Sequence, residues 1–287
     1  MNRKIYAIIL MFGLLSTISL AGNKKVLILG IDGCRPDALL AANTPNIDKL
    51  WQNGAYSFTT QTDEISSSGI CWTGMLTGVW HDKHKVVSNA YKNPNIEEYP
   101  HFFRRIKAQY PDLTTASIVN WKPIHNILQE GDADIQKRRL FDWWVTCKAK
   151  RTVKKQNLDV LFVALDAVDH AGHVNGFSLD SSKYLKQIEK ADKQLGKIIK
   201  ALKTRKNYQN EDWLVIVTTD HGGSAYGHGK NIPEHTTIFY IAHGPSVSKG
   251  KIMEDVNVVD VAVTALHHLG VEVREEWQLD GKSAGLK

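Results

Sequence analysis

Cysteine is scarce in this chain: three residues in 287, Cys34, Cys71 and Cys147, with no CxxC or zinc-finger spacing. That excludes a disulfide scaffold and a cysteine-based zinc module. At most one bridge can form, with one thiol left over. Internal repeats, low-complexity tracts and linker-like stretches are also lacking, so one domain is the economical reading. No single charge dominates. The formal net charge is +6, and setting aside Arg3 and Lys4 leaves 34 basic against 30 acidic residues. Such a balance does not call for a nucleic-acid groove. The clusters at Arg104-Arg105, Lys137 to Arg139 and Lys148 to Lys155 read as solvated helix faces, useful at most for attracting an anionic substrate.

A long apolar run is missing too. The best stretch, Ile5 to Leu20, covers about 16 residues, short of the roughly 20 that span a bilayer. It follows Arg3 and Lys4 and ends in small residues, Ser19 and Ala21, before Gly22. This is the pattern of a cleaved secretory signal over residues 1–21. The expectation is a periplasmic or secreted protein with no lasting membrane anchor and one folded domain over 22–287. Its composition, 43% hydrophobic and 23% charged, is that of a chain that packs a core.

Short apolar strands alternate with helical periodicity along that domain. Lys25 to Leu29 reads as a first strand ending in Gly30-Ile31-Asp32-Gly33. Ala38 to Leu50 is helical, interrupted at Asn43-Thr44-Pro45, and Ser66 to Thr77 is a loop entering a helix. Further strands are expected at Thr115 to Val119, Leu158 to Leu165, Trp213 to Val217 and Thr237 to Ala242. Helices are expected at Ser182 to Lys203 and Val258 to Leu269. This alternation predicts an α/β fold with a mainly parallel sheet flanked by helices.

Chemistry-bearing residues gather at the predicted strand ends, where open α/β sheets bind ligands. Thr218-Thr219-Asp220-His221-Gly222-Gly223 follows one strand, and Asp32 follows another. Asp169-His170-Ala171-Gly172-His173 follows a third. There the pairs Asp166/His170 and Asp169/His173 share one spacing, so two registers are open. His228 lies between glycines, with His235 as a weaker competitor. His81 and His84 read as structural or surface groups. Any one of these sites alone is a cap or a turn. Several at strand ends point to divalent metal, and mixed Asp/His donors suit Zn²⁺ better than Ca²⁺ or Mg²⁺.

In this order the motifs resemble those of the alkaline phosphatase superfamily, most closely its type I phosphodiesterase/nucleotide pyrophosphatase-like members. They are Gly30-Ile31-Asp32-Gly33, Ser68 to Gly78, Asp169-x-x-x-His173, Thr219-Asp220-His221-Gly222 and Gly227-His228-Gly229. The resemblance covers nearly the whole domain and implies an alkaline-phosphatase-like three-layer sandwich. It also implies two zinc ions, one on Asp32, Ser68, Asp220 and His221, the other on Asp169, His173 and His228.

By the family's spacing the nucleophile falls on Ser68, ten residues before Gly78. Ser66 and Ser67 are then expected to be caps of little consequence. Asn89 matches the asparagine that donates to a phosphoryl oxygen, and Trp121 offers an aromatic surface to substrate or packs in the core. A Lys-x-Arg pair expected of some monoesterases is absent. Sulfatases follow their modified residue with x-Pro-x-Arg; here Gly69-Ile70-Cys71-Trp72 follows Ser68. The implied activity is hydrolysis of a small-molecule phosphodiester through a phosphoseryl intermediate. A phosphate monoesterase is the alternative, and a sulfatase or a non-catalytic metal-binding relative is less favoured.

Overall fold

A computed structural model describes residues 24–287. The expected signal at 1–21, and the cleavage point before Gly22, lie outside the described residues. Among those described, no helix is long and apolar enough to cross a membrane.

Eight strands build the molecule: β1 (Lys24–Ile31), β2 (Ala55–Gln61), β3 (Thr114–Val119), β4 (Ile135–Arg138), β5 (Leu158–Leu165), β6 (Asp212–Thr218), β7 (Thr237–His243) and β8 (Gly250–Lys251). They form one sheet in the order β4-β3-β5-β1-β6-β7-β2-β8. From β4 to β6 all pairings are parallel, while β7 runs antiparallel to both β6 and β2. The central strands are buried on both faces, which is why Val26 to Ile31 and Val160 to Leu165 are apolar without alternation, while Lys25 and Asp159 pair with each other at the start of β1 and β5.

Alternate residues of β1 feed two cores. Val26 and Ile28 pack with the helices Ser68–Thr77, Phe102–Gln109 and Asp260–Leu269, whereas Leu27 and Leu29 pack with Asp142–Val153, Ala167–Asn175 and Ser182–Leu202. The result is helix, sheet, helix: the three-layer sandwich expected from the sequence. The break at Pro45 divides the first helical stretch into Pro36–Ala41 and Pro45–Gln52, since proline fits a first helical turn and not its interior. All three cysteines are free, Cys34 and Cys71 buried and Cys147 exposed.

Strands β3, β4 and β5 lie on one side of β1, and β6, β7 and β2 on the other. The C-terminal ends of β5, β1 and β6 therefore sit side by side where the chain parts, and this is where a doubly wound sheet opens a crevice.

Candidate active site

Asp32 stands one residue beyond β1, Asp220 two beyond β6, and Asp169 in the first turn of the helix Ala167–Asn175 that follows β5. All three side chains turn into one crevice. Asp32 and Asp220 are essentially inaccessible, and Asp169 is half-buried. Glycine makes the convergence possible at two points. Gly33 takes φ +64°, and a Cβ there would lie 2.6 Å from Asp169 Oδ1, so the turns after β1 and β5 touch. A Cβ at Gly30 would lie 2.3 Å from the Trp72 ring. Without one, Trp72 reaches across and donates its indole N–H to Asp32 Oδ2 at 3.1 Å.

The electrostatics suit a cation. Asp32 Oδ1, Asp169 Oδ1 and Asp220 Oδ2 are buried oxygens with no hydrogen-bond donor. Burial first, then repulsion from neighbouring carboxylates (Asp220 and Asp169 on Asp32, Asp169 on Asp220), holds the Asp32 and Asp220 carboxyls well above the usual carboxylate range. Asp169 is pushed up to about 7, again chiefly by burial. Such crowding is costly unless positive charge enters.

The histidines point the same way. His221 Nδ1 lies 2.8 Å from Gly222 O, His173 Nδ1 2.9 Å from Tyr226 O, and His228 Nδ1 2.9 Å from Ser66 O. A carbonyl only accepts, so Nδ1 carries the proton in each ring and Nε2 presents a lone pair. Burial above all, and neighbouring histidines, hold His221 and His228 neutral by lowering their pKa values. The bare Nε2 of His221 sits 3.5 Å from Asp32 Oδ1 and 3.3 Å from Asp220 Oδ2; that of His173 lies 3.3 Å from Asp169 Oδ2, and that of His228 3.8 Å from Asp169 Oδ1. Lone pairs facing lone pairs at these distances fit divalent ions between them. Pinning each imidazole by its other nitrogen is how metal-ligating histidines are oriented. Two donor groups emerge, Asp32 with Asp220 and His221, and Asp169 with His221 and His228.

Ser68 is the first residue of the helix Ser68–Thr77, and its Oγ lies 3.1 Å from His221 Nε2. A hydroxyl at a helix N-terminus beside this cluster is placed where negative charge is favoured.

A family model described as type I phosphodiesterase/nucleotide pyrophosphatase matches residues 26–130 and 109–264. The chain belongs to that family. A curated relative, the Bos taurus bis(5'-adenosyl)-triphosphatase ENPP4, is 21% identical over 302 residues, covering 93% of this chain and 63% of its own length. The chain thus spans less than two thirds of that relative. Among solved structures, an inactive murine ectonucleotide pyrophosphatase/phosphodiesterase 5 in complex with AMP aligns with TM-score 0.73 at 16% identity, over 88% of this chain and 96% of that one. The human ectonucleotide pyrophosphatase/phosphodiesterase 5 gives 0.71 at 15% identity, over 87% and 96%. A 2-O GAG sulfatase gives 0.70 at 14% identity, over 90% and 73%. At these identities the structures speak for the fold.

Within this family member the remaining candidates occupy distinct places. Asn89 is exposed beside Ser68. Its Oδ1 accepts from the Gly69 N–H at 2.8 Å and the Ser67 hydroxyl at 3.3 Å, leaving its N–H donors for another partner. Trp121 lies just past β3, on the same edge of the sheet, half-buried with its ring 6.4 Å from that of Tyr91 and packed against the core. The helix over 167–175 brings Asp169 to His173, while His170 is exposed. His235 is fully engaged, with Nε2 at 2.7 Å from Ser224 Oγ and Nδ1 accepting from the Lys230 N–H. Buried His84 is held neutral, its pKa lowered to about 3 by burial.

Ser66 is a correction. It is no bland cap: its buried hydroxyl donates to Lys230 O at 2.9 Å and accepts from Gly229 N–H at 3.2 Å, while its carbonyl fixes His228. Ser67 occupies the N-cap position without a capping side-chain bond.

Three supporting groups escaped the sequence reading. Trp72 holds Asp32, as described. The Asp142 carboxylate accepts from the Asp166 and Ala167 backbone N–H groups and from Asn120 Nδ2, anchoring the start of the helix that carries Asp169 and His173. Tyr184 donates to Gly33 O at 2.7 Å and accepts from the Arg35 N–H, and the Arg35 guanidinium ties Phe177 O to Gly223 O. Of these, only Asp142 had a local sign, an acidic residue opening a helix. That sign indicates a cap of its own helix and says nothing of the neighbouring one.

Proposed function

We propose that this chain is an exported phosphodiesterase of the nucleotide pyrophosphatase type, working with two divalent ions, zinc by preference, through a phosphoseryl intermediate on Ser68. The observation that carries the proposal is the set of three donorless carboxylate oxygens facing the bare imidazole nitrogens of His221 and His228, with that of His173 against the other oxygen of Asp169 and Ser68 Oγ at the edge. Asp32, Asp220 and His221, with Ser68, would hold one ion, and Asp169, His173 and His228 the other. Bound there, the ions would lower the pKa of a hydroxyl and neutralise charge on phosphoryl oxygens.

The chain's own part is positional. The Ser68 hydroxyl gives up its proton to water and its Oγ attacks phosphorus in line. A P–Oγ bond forms as the bond to the leaving oxygen breaks, and that oxygen leaves with a proton drawn from water. Water then cleaves the P–Oγ ester and frees the serine. Asn89, its oxygen already occupied by Gly69 N–H, has N–H groups to offer a non-bridging oxygen of the transferring group.

A diester is preferred because the donors beside Ser68 are neutral, Asn89 and backbone amides. A monoester dianion calls for guanidinium or ammonium groups. The descriptions of the relatives, an adenosyl triphosphatase and an AMP complex, support a nucleotide substrate. A sulfatase finds no support at the site: Cys71 lies one turn into the helix, fully buried, its thiol pushed well up by burial.

Relative kcat/KM on aryl and bis-aryl phosphates of the zinc-loaded protein tests the substrate class. The diester is expected to be favoured at least about tenfold, and a large monoester preference would overturn the reading. Export is tested separately by the mass of the secreted or periplasmic protein. Its chain is expected to start near Gly22; an active membrane-bound form retaining Met1 would argue for an anchor.

A further inference from the structure

The segment from Gln136 to Lys155 holds eight of the chain's 36 lysines and arginines but one of its 30 acidic residues, Asp142. The rest of the chain carries 28 basic against 29 acidic residues, so this stretch accounts for the whole positive excess. It comprises the edge strand β4, a turn, and the helix Asp142–Val153. Its single carboxylate is buried and committed to the backbone at Asp166 and Ala167. Among the described residues, none of the eight cations makes an ion pair.

At the turn stand four large apolar side chains in the open: Leu140 is 53% exposed, Phe141 54%, Trp143 55% and Trp144 38%. They form one tip, with ring centroids 5.2 Å apart for Phe141 and Trp144 and 4.8 Å for Trp143 and Trp144. Cations flank this tip on both sides. Lys137 to Arg139 precede it, and Lys148, Lys150, Arg151, Lys154 and Lys155 follow along the helix and just past its end. These cations crowd together in space: Lys148 is lowered by burial and then by repulsion from Arg139, Lys155, Lys137 and Arg151.

We propose that this corner is a membrane-surface contact, in which Leu140, Phe141, Trp143 and Trp144 enter the interface of an anionic phospholipid bilayer and the flanking cations meet its headgroups. Three features choose a bilayer over a nucleic acid strand. The aromatic groups are gathered in one tip and not interleaved with the cations, as a strand-tracking surface requires. Tryptophan favours the water–lipid boundary. Unpaired basic clusters beside an apolar tip give the two-part attraction that reversible membrane binding needs. The helix begins at the C-terminal end of β4, and Asp142 touches the turn after β5. Docking here would bring the catalytic edge of the sheet up to the lipid surface. The inference rests on the surface alone and stands whatever ester the site cleaves.

The test is flotation of the full chain with vesicles of phosphatidylglycerol in phosphatidylcholine and with phosphatidylcholine alone. Wild type is compared with Trp143→Ala/Trp144→Ala and with Lys148→Glu/Arg151→Glu/Lys155→Glu. Every variant carries the same N-terminus, so differences between them report this corner. Wild type is expected to partition onto the anionic vesicles, less so at high salt. Each variant is expected to lose at least about tenfold in that partition, with its melting temperature and its turnover of a small soluble ester unchanged. Tryptophan emission should shift to the blue on anionic vesicles in wild type and less in the double tryptophan variant. Equal partition of wild type and both variants would overturn the proposal. So would capture of a deoxythymidine oligonucleotide by wild type, lost in the variants, without any vesicle binding.

Discussion

A Ser68→Ala variant is expected to lose turnover by about three orders of magnitude or more while keeping most of its metal. The two roles proposed for this hydroxyl are separable. As a nucleophile it has no substitute: Ser66 Oγ is tied to Lys230 O and Gly229 N–H, and Ser67 Oγ to Asn89. As a donor to metal it is one of several, since Asp32, Asp220 and His221 converge without it. Elemental analysis beside kinetics therefore distinguishes loss of the reacting atom from loss of the ion. Ser67→Ala should be mild, since the residue's side chain makes no cap bond to the helix. Ser66→Ala should fall between the two, because it frees the loop that carries His228. A dead Ser67→Ala variant with an active Ser68→Ala would move the nucleophile by one position. Loss of activity in Cys71→Ala alone, with formylglycine found there, would restore the sulfatase reading.

The sheet was legible where its residues obey burial on both faces. β1, β5 and β6 each carry an apolar run, Val26 to Leu29, Val160 to Leu165 and Trp213 to Val217, because helices cover them above and below, and uninterrupted runs of that length are readable. The strands missed have no such signature. β2 alternates buried with partly exposed positions and contains Ser57, Thr59 and Thr60, while β4 exposes Gln136 to Arg138 at the sheet edge. Edge and near-edge strands gain their structure from pairing with neighbours, which local sequence does not display. The helix Ala167–Asn175 was missed for a related reason: its start is capped from another helix, by Asp142.

The same division runs through the site. Asp32, Asp220 and His221 announce themselves as polar residues directly after apolar strands. Trp72 and Tyr184 read as core, and they are core; each uses one polar atom of an otherwise buried ring to hold an active-site turn. An aromatic on an apolar helix face carries no sequence mark of that second task.

Removing the metal should cost both activity and fold stability, and an Asp220→Asn variant should reverse its rank order with metal. In the chelated wild type, Asp32, Asp169 and Asp220 face one another in a buried crevice with no compensating charge. Turnover should vanish. The melting temperature should fall by about 10 °C, the loss expected when a ligand present at a thousandfold its Kd is withdrawn from a domain of this size.

The pH dependence has a definite sign. A carboxyl whose folded pKa is raised contributes its stability in full below the unfolded value, near 3.9, and loses it as pH climbs through the folded value. For Asp166 that folded value is about 6 and for Asp169 about 7, both raised first by burial. The gap between loaded and chelated protein should therefore widen as pH rises from about 4 to about 7 and level off above that. Asp220→Asn keeps an oxygen where the carboxylate accepts from Gly33 N–H at 3.1 Å and removes one of the crowded charges. With chelator it should melt above wild type. With zinc it should melt below wild type and bind one ion less tightly, because a ligand carboxylate has become an amide. Scanning calorimetry of both proteins, with zinc and with chelator, decides the matter. If wild type melts higher under both conditions, or if chelation leaves its melting and turnover untouched, the crevice is not a metal centre.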